Sequence, residues 1–315
     1  MVQPLELDND LRRIMVKLEK DGIPSTSDLT VADARRLSRE MDRKLAGPSI
    51  NIASVRNFSI TTTEAKIPVR AYSNATHEHL PVLLFFHGGG WVIGDLESRD
   101  WFCRYLAKAV ECVVYSVDYR LAPENKFPTA AEDCYQVTKW IVENCDAEGI
   151  DPNCVAVSGE SAGANLATVV CLMARDRGGP TIFYQLLLYP VTNHAFNTQS
   201  YRDCASGYFL TTEDMKWYWN HYLREQDDGN NPYASPLAAK DLSGLPPALV
   251  VTAGFDPLRD EGEAYAERLK EADGATRISR YDSMIHGFLD FPELKQTKAA
   301  IDEIAAELRT AFRAR

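Results

Sequence analysis

The chain has 315 residues, of which 45% are hydrophobic and 25% charged, the balance of a soluble globular protein. Its formal net charge of −11 argues against nucleic acids and anionic membrane surfaces as partners. No stretch approaches the ~18 apolar residues of a membrane span, and the start, Met1-Val2-Gln3-Pro4-Leu5-Glu6, lacks the basic residues and apolar run of a signal peptide.

The first signals in chain order are helical. Leu11, Ile14, Met15 and Leu18 recur at helical spacing, as do Leu37, Met41 and Leu45. Thr30 with Asp33 resembles a capping box, and Gly47-Pro48 closes the second helix. Two apolar stripes with no strand beside them cannot form a core, so the segment 1–46 must lie on something in the remainder, 47–315. A strand pair is expected at 55–60 and 65–73. From Val82 onward strands (82–86, 113–117, 153–158, 184–189, 249–253, 277–281) alternate with helices (98–110, 128–144, 162–175, 258–272, 297–312). This pattern predicts an α/β fold: a mostly parallel sheet with helices on both faces and ligands at the carboxyl ends of the strands.

The interval between Tyr189 and Leu249 breaks the alternation and is rich in aromatic residues. A helix is expected at 211–223, with Met215, Trp219, Tyr222 and Leu223 on one face. That face is either core or the wall of a cleft; both hold if the segment packs on the domain and roofs a pocket. The seven cysteines (Cys103, Cys112, Cys134, Cys145, Cys154, Cys171, Cys204) are scattered and form no C-x-x-C pair. They read as small core residues of a reducing, cytoplasmic compartment.

Gly159-Glu160-Ser161-Ala162-Gly163 joins an apolar strand to a dense helical pattern. Such a corner lifts a serine hydroxyl above the sheet at a helix N-terminus. The pattern alone is weak, since a capping serine in a βα turn looks the same. Three further elements strengthen it. His87-Gly88-Gly89-Gly90-Trp91 follows the strand 82–86 and offers backbone N–H groups free of side chains, as an oxyanion requires. No Walker lysine follows, which disfavours a phosphate cradle. Asp256 stands just past the strand 249–253, where a carboxylate can orient a histidine; Asp260, a turn into the next helix, is the less favoured acid. His286 follows the last strand. His77 and His79 lie in a polar turn, His194 and His221 fall outside the sheet pattern, and His87 belongs to the glycine loop. Only His286 completes the order Ser, Asp, His.

Together with Asp118-Tyr119-Arg120-Leu121-Ala122-Pro123-Glu124 and Asp256-Pro257-Leu258-Arg259-Asp260-Glu261-Gly262, these motifs make the chain resemble the hormone-sensitive-lipase-like, HGGG-containing carboxylesterases of the α/β-hydrolase superfamily, over roughly residues 50–313. The elbow carries Glu160 where the commonest family form has Asp, and Ala164 where it often has a third Gly; neither is a triad position. The resemblance implies an α/β-hydrolase fold with a helical cap, built from 1–46 and a second segment inserted at about 193–226. It also implies no metal, no organic cofactor, and a homodimer through the strand edge near 276–281.

The sequence thus leads to a serine esterase acting on a small ester. Ser161 is the expected nucleophile, His286 the base, Asp256 its orienting acid, and the N–H groups of Gly88, Gly89 and Ala162 the oxyanion donors. Trp91, Tyr208, Phe209, Met215 and Trp219 are expected to line the substrate pocket and keep it short. Arg120 and Glu124 are expected to brace the glycine loop. An amidase or deacetylase with the same triad stays open as an alternative. A non-catalytic ligand receptor of the same fold is disfavoured by His286, which such receptors replace.

Overall fold

A computed structural model describes residues 5–45, 47–75, 79–272 and 274–314. His77 of the polar turn, and residues 1–4 and Ala46 of the N-terminal segment, lie outside the described residues. Two helices, α1 (Asn9–Lys20) and α2 (Val31–Lys44), precede the strands β1 (Ser54–Thr61), β2 (Lys66–Ser73) and β3 (Leu80–Phe86). Then come α3 (Asp100–Val110), β4 (Val113–Val117), α4 (Thr129–Glu143), the short α5 (Cys145–Glu148), β5 (Ile150–Glu160), α6 (Ala162–Asp176) and β6 (Tyr184–Leu188). The interval without strands holds α7 (Gln199–Asp203) and α8 (Thr212–Tyr222), and the chain ends with β7 (Ala248–Phe255), α9 (Arg259–Glu271), β8 (Thr276–Ile285) and α10 (Lys295–Arg313).

The strands form one eight-stranded sheet in the order β1-β2-β4-β3-β5-β6-β7-β8. The pairings β1–β2 and β2–β4 are antiparallel, and those from β4 to β8 are parallel. The apolar runs of the central strands are continuous because both faces are covered. In β3, Val82, Leu84 and Phe86 enter the core cluster that includes α4, α6 and α9, while Leu83 and Phe85 enter the one that includes α3 and α10. β8 is longer than its apolar pattern suggests. It alternates exposed and half-buried residues as an edge strand does, and runs on through Asp282 and Ser283 to Ile285, so that His286 follows the strand directly.

α1 and α2 are amphipathic, yet Leu11 and Ala34 are their only fully buried residues. Their capping is local: Asp8 accepts the N–H groups of Asp10 and Leu11, and Thr30 that of Asp33. Arg35 of α2 fastens them to the sheet domain, donating to the carbonyls of Val92 (2.9 Å) and Ala122 (2.8 Å) and pairing with Glu124. Asp214 of α8, 2% exposed, accepts from Ser25 Oγ (2.6 Å) and Ser27 N (2.8 Å). No helix among the described residues is long and apolar enough to cross a membrane. Of the seven cysteines, all but the half-buried Cys145 are buried.

Candidate active site

The ends of β3, β5, β7 and β8 place the glycine loop, Ser161, Asp256 and His286 on one rim of the sheet. At the elbow, Ser161 has φ +53° and ψ −118°, a conformation that costs a non-glycine residue ~1–3 kcal/mol. Three backbone bonds hold it there: Ser161 N–H to Leu188 O (2.9 Å), Asn165 N–H to Ser161 O (3.0 Å) and Val191 N–H to Ser161 O (3.3 Å). The flanking glycines are steric requirements. A Cβ on Gly159 would lie 2.3 Å from the Gly163 carbonyl, and one on Gly163 would lie 2.0 Å from Phe86 O.

A relay runs from the serine. His286 Nε2 stands 3.0 Å from Ser161 Oγ, and His286 Nδ1 stands 2.8 Å from Asp256 Oδ2. Asp256 is fully buried, and its Oδ1 accepts the Leu258 N–H at 2.8 Å, which fixes the carboxylate plane. Asp260, the other candidate acid, faces away: it accepts from Ser200 N at 2.7 Å and pairs with Arg259.

The amide N–H groups of Gly89, Gly90 and Ala162 have no acceptor among the described residues. Gly88, expected as an oxyanion donor, departs from that role because its N–H points to Glu160 Oε1 at 3.3 Å. His87 is fully buried and stacks on Tyr119 with ring centroids 4.3 Å apart. Burial pushes its pKa down, which suits a neutral, structural imidazole. The expected brace of this loop also changes hands. Arg120 pairs with Asp133 of α4 and Glu124 with Arg35 of α2, whereas Tyr119 donates from its hydroxyl to His87 O at 2.8 Å. The sequence motif was informative, but a tyrosine inside it does the bracing.

Ser161 and His286 open into a cavity of about 670 Å³. Its walls include the glycine loop, Tyr208, Phe209, Met215 and Tyr218 from the second irregular segment, and Met15, Leu18, Leu37, Met41 and Leu45 from the first two helices. The apolar stripes of α1 and α2 therefore face a cavity rather than a packed layer, which explains why so few of their residues are fully buried. Trp91 and Trp219 do not line it. Both are fully buried; Trp91 stacks on Tyr222 at 4.1 Å and leans on Trp219 at 4.6 Å. Trp91, at φ +61°, has its indole in the core cluster. Leu210, Tyr218 and Tyr189 line the cavity without having been singled out from sequence.

Sheet order, elbow and relay define the class, an α/β hydrolase. A family profile described as the alpha/beta hydrolase fold matches residues 83–290. The carboxylic ester hydrolase LipN of Mycobacterium tuberculosis is 42% identical over 296 residues, covering 92% of this chain and 78% of LipN. An arylesterase of Saccharolobus solfataricus is 36% identical over 310 residues, covering 98% of this chain and all of that enzyme (100%). The structure of an ester hydrolase from the metagenome of Lake Arreo, solved with a bipyridine phosphonate derivative, superposes with a TM-score of 0.94 at 38% identity, covering 98% of this chain and 99% of that one. The chain belongs to the hormone-sensitive-lipase-like carboxylesterases of the α/β-hydrolase superfamily.

Proposed function

We propose that the protein is a serine carboxylesterase acting on soluble esters with short to medium acyl chains. Ser161 Oγ attacks the ester carbonyl as His286 Nε2 takes its proton; Asp256 holds the imidazole and balances its charge. The N–H groups of Gly89, Gly90 and Ala162 receive the oxyanion. His286 returns the proton to the leaving alkoxide, and water then repeats the sequence on the acyl-enzyme. The observation that carries this reading is the continuous relay, 3.0 Å and 2.8 Å, opening into an apolar cavity.

The segments 1–46 and 193–226 act in this reading as two parts of a cap. They supply facing cavity walls, and Asp214 ties them together. Tyr208, Phe209, Met215 and Tyr218 limit the length of the pocket. Each methylene that fits gains ~0.8 kcal/mol from burial, and the gain stops when the cavity is filled.

An organophosphonate is expected to label one serine per chain, and Ser161→Ala is expected to lower kcat by roughly 10⁴-fold or more in a folded protein. Label found by mass spectrometry on another serine refutes the assignment. Across soluble esters from acetate to palmitate, kcat/KM should peak at short to medium chains, with poor turnover of an olive-oil emulsion. A rate that rises to the longest chains, with activation at the oil interface, makes the protein a lipase instead.

A further inference from the structure

A buried polar cluster behind the elbow takes no part in the steps above. Glu160 is 4% exposed and receives three donors: the Gly88 N–H at 3.3 Å, the Tyr189 hydroxyl at 2.9 Å, and Arg99 Nε. Each donor belongs to a different segment: the loop after β3, the end of β6, and the residue before α3. Arg99 also reaches with its second arm to Asp290, in the turn that follows His286. Tyr189 presents its ring edge-on to the His286 imidazole, with centroids 4.8 Å apart and planes at 65°. One carboxylate is therefore bonded to the oxyanion loop on one side and to the neighbour of the catalytic imidazole on the other.

The glycine loop needs such an anchor. Residues 88–90 have no side chains to pack, so the loop's position depends on what its backbone touches. A Cβ on Gly88 would lie 3.1 Å from Glu160 Cγ and 3.2 Å from Oε1, so the glycine is what lets the carboxylate lie against the loop. The Gly88 N–H is then committed to Glu160, and the amides of Gly89 and Gly90 remain without acceptors among the described residues.

We propose that Glu160 is a positioning residue, setting both the oxyanion donors and His286, with Arg99 as the counter-ion that fixes its carboxylate. It acts through the Gly88 N–H, which orients the next two amides, and through Tyr189, which fixes the imidazole plane. The inference rests on the esterase reading above.

The test compares wild type, Glu160→Gln, Glu160→Asp and Tyr189→Phe on a soluble short-chain ester, with active sites counted by organophosphonate titration. Glu160→Gln keeps size but removes the charge and one acceptor. It is expected to lower kcat per titrated site by roughly tenfold or more, since misplacing reacting groups by ~1 Å can cost ~10²-fold, while KM moves less than about threefold. Glu160→Asp keeps the charge and should restore part of the rate. Tyr189→Phe keeps the ring and loses only the hydroxyl bond, and should lower kcat per site by roughly threefold or more. A residue that merely stabilises the fold would reduce the number of titrated sites and leave kcat per site unchanged. Values for the Gln and Phe variants within about twofold of wild type overturn the proposal. If Glu160→Gln does not fold, Tyr189→Phe decides alone, and an unchanged kcat per site overturns it. A wild-type protein that hydrolyses no ester, or titrates at another serine, refutes the esterase reading rather than this inference.

Discussion

Replacing Glu261 by glutamine should stabilise the protein, and more so as pH rises. Glu261 lies in the first turn of α9, 1% exposed, with Oε1 accepting the N–H groups of Thr192 (2.7 Å) and Asn193 (3.1 Å). Burial, reinforced by the nearby Asp256 carboxylate and only partly opposed by those two amides, pushes its pKa from 4.5 up to about 8. Between these values the folded protein holds a proton that the unfolded chain has released. Stability therefore falls as pH rises from about 4.5 to about 8, and is flat in this group's contribution outside that window. One proton costs ~1.4 kcal/mol per pH unit, so at pH 7 the burial costs on the order of 3 kcal/mol relative to pH 4.5. Glutamine keeps the carbonyl acceptor for both amides and does not titrate. Urea unfolding followed by tryptophan fluorescence, at pH 5 and at pH 8.5 for both proteins, measures the difference directly. A stability gap between them that is the same at both pH values refutes the reasoning.

Other predictions separate the core from the pocket and test the cap. Trp219→Ala should cost ~3–5 kcal/mol and lower Tm without altering the order of preference among ester chain lengths, because Trp219 lies in the core stack. Phe209→Ala, at a residue 47% exposed on the cavity wall, should do the reverse: little change in Tm and a shift toward longer acyl chains. Asp214→Ala removes a buried carboxylate that accepts from Ser25, Ser27 and Thr211. It should loosen the junction of the two cap segments, speed limited proteolysis within 5–45 and change chain-length selectivity more than kcat on acetate. Unaltered proteolysis and selectivity would show that the segments dock independently.

Much of this architecture was legible from periodicity. The central strands are apolar runs because helices cover both faces, and the four rim motifs follow strand ends because loops there face the ligand side. The elbow was readable because sterics demand glycine at 159 and 163 whatever the rest of the protein does. Side-chain direction was not readable. Trp91 follows the glycine loop and looks like a pocket residue, but its indole is fully buried and stacked on Tyr222. Trp219 shares a helix face with Met215, yet only Met215 reaches the cavity. The end of β8 was hidden because the polar Asp282 and Ser283 interrupt its apolar pattern, which an edge strand can tolerate.

The Glu160 cluster was invisible for a different reason. Arg99, Tyr189 and Asp290 are unremarkable in sequence; they meet because β3, β5, β6 and β8 deliver their loops to one rim of the sheet. The same convergence that assembles the relay also crowds charges beneath it. Asp42 of α2 joins them, its pKa pushed up to about 6 by burial, against the opposing influence of Arg99. Asp290 is pushed up to about 7, again chiefly by burial. A single guanidinium thus serves a neighbourhood of three carboxylates, one from the N-terminal helices, one from the elbow and one from the histidine loop. An isolated buried ion pair contributes little to stability compared with an apolar substitute, and breaking one leaves a costly unpaired charge. Such a cluster is better understood as a device for specifying geometry: α2, the elbow and the histidine loop each bring a carboxylate to the neighbourhood of Arg99, and the glycine loop is tied to it through the Gly88 N–H and Glu160. That makes the relay's 3.0 Å and 2.8 Å spacings a property of the whole rim rather than of any one loop.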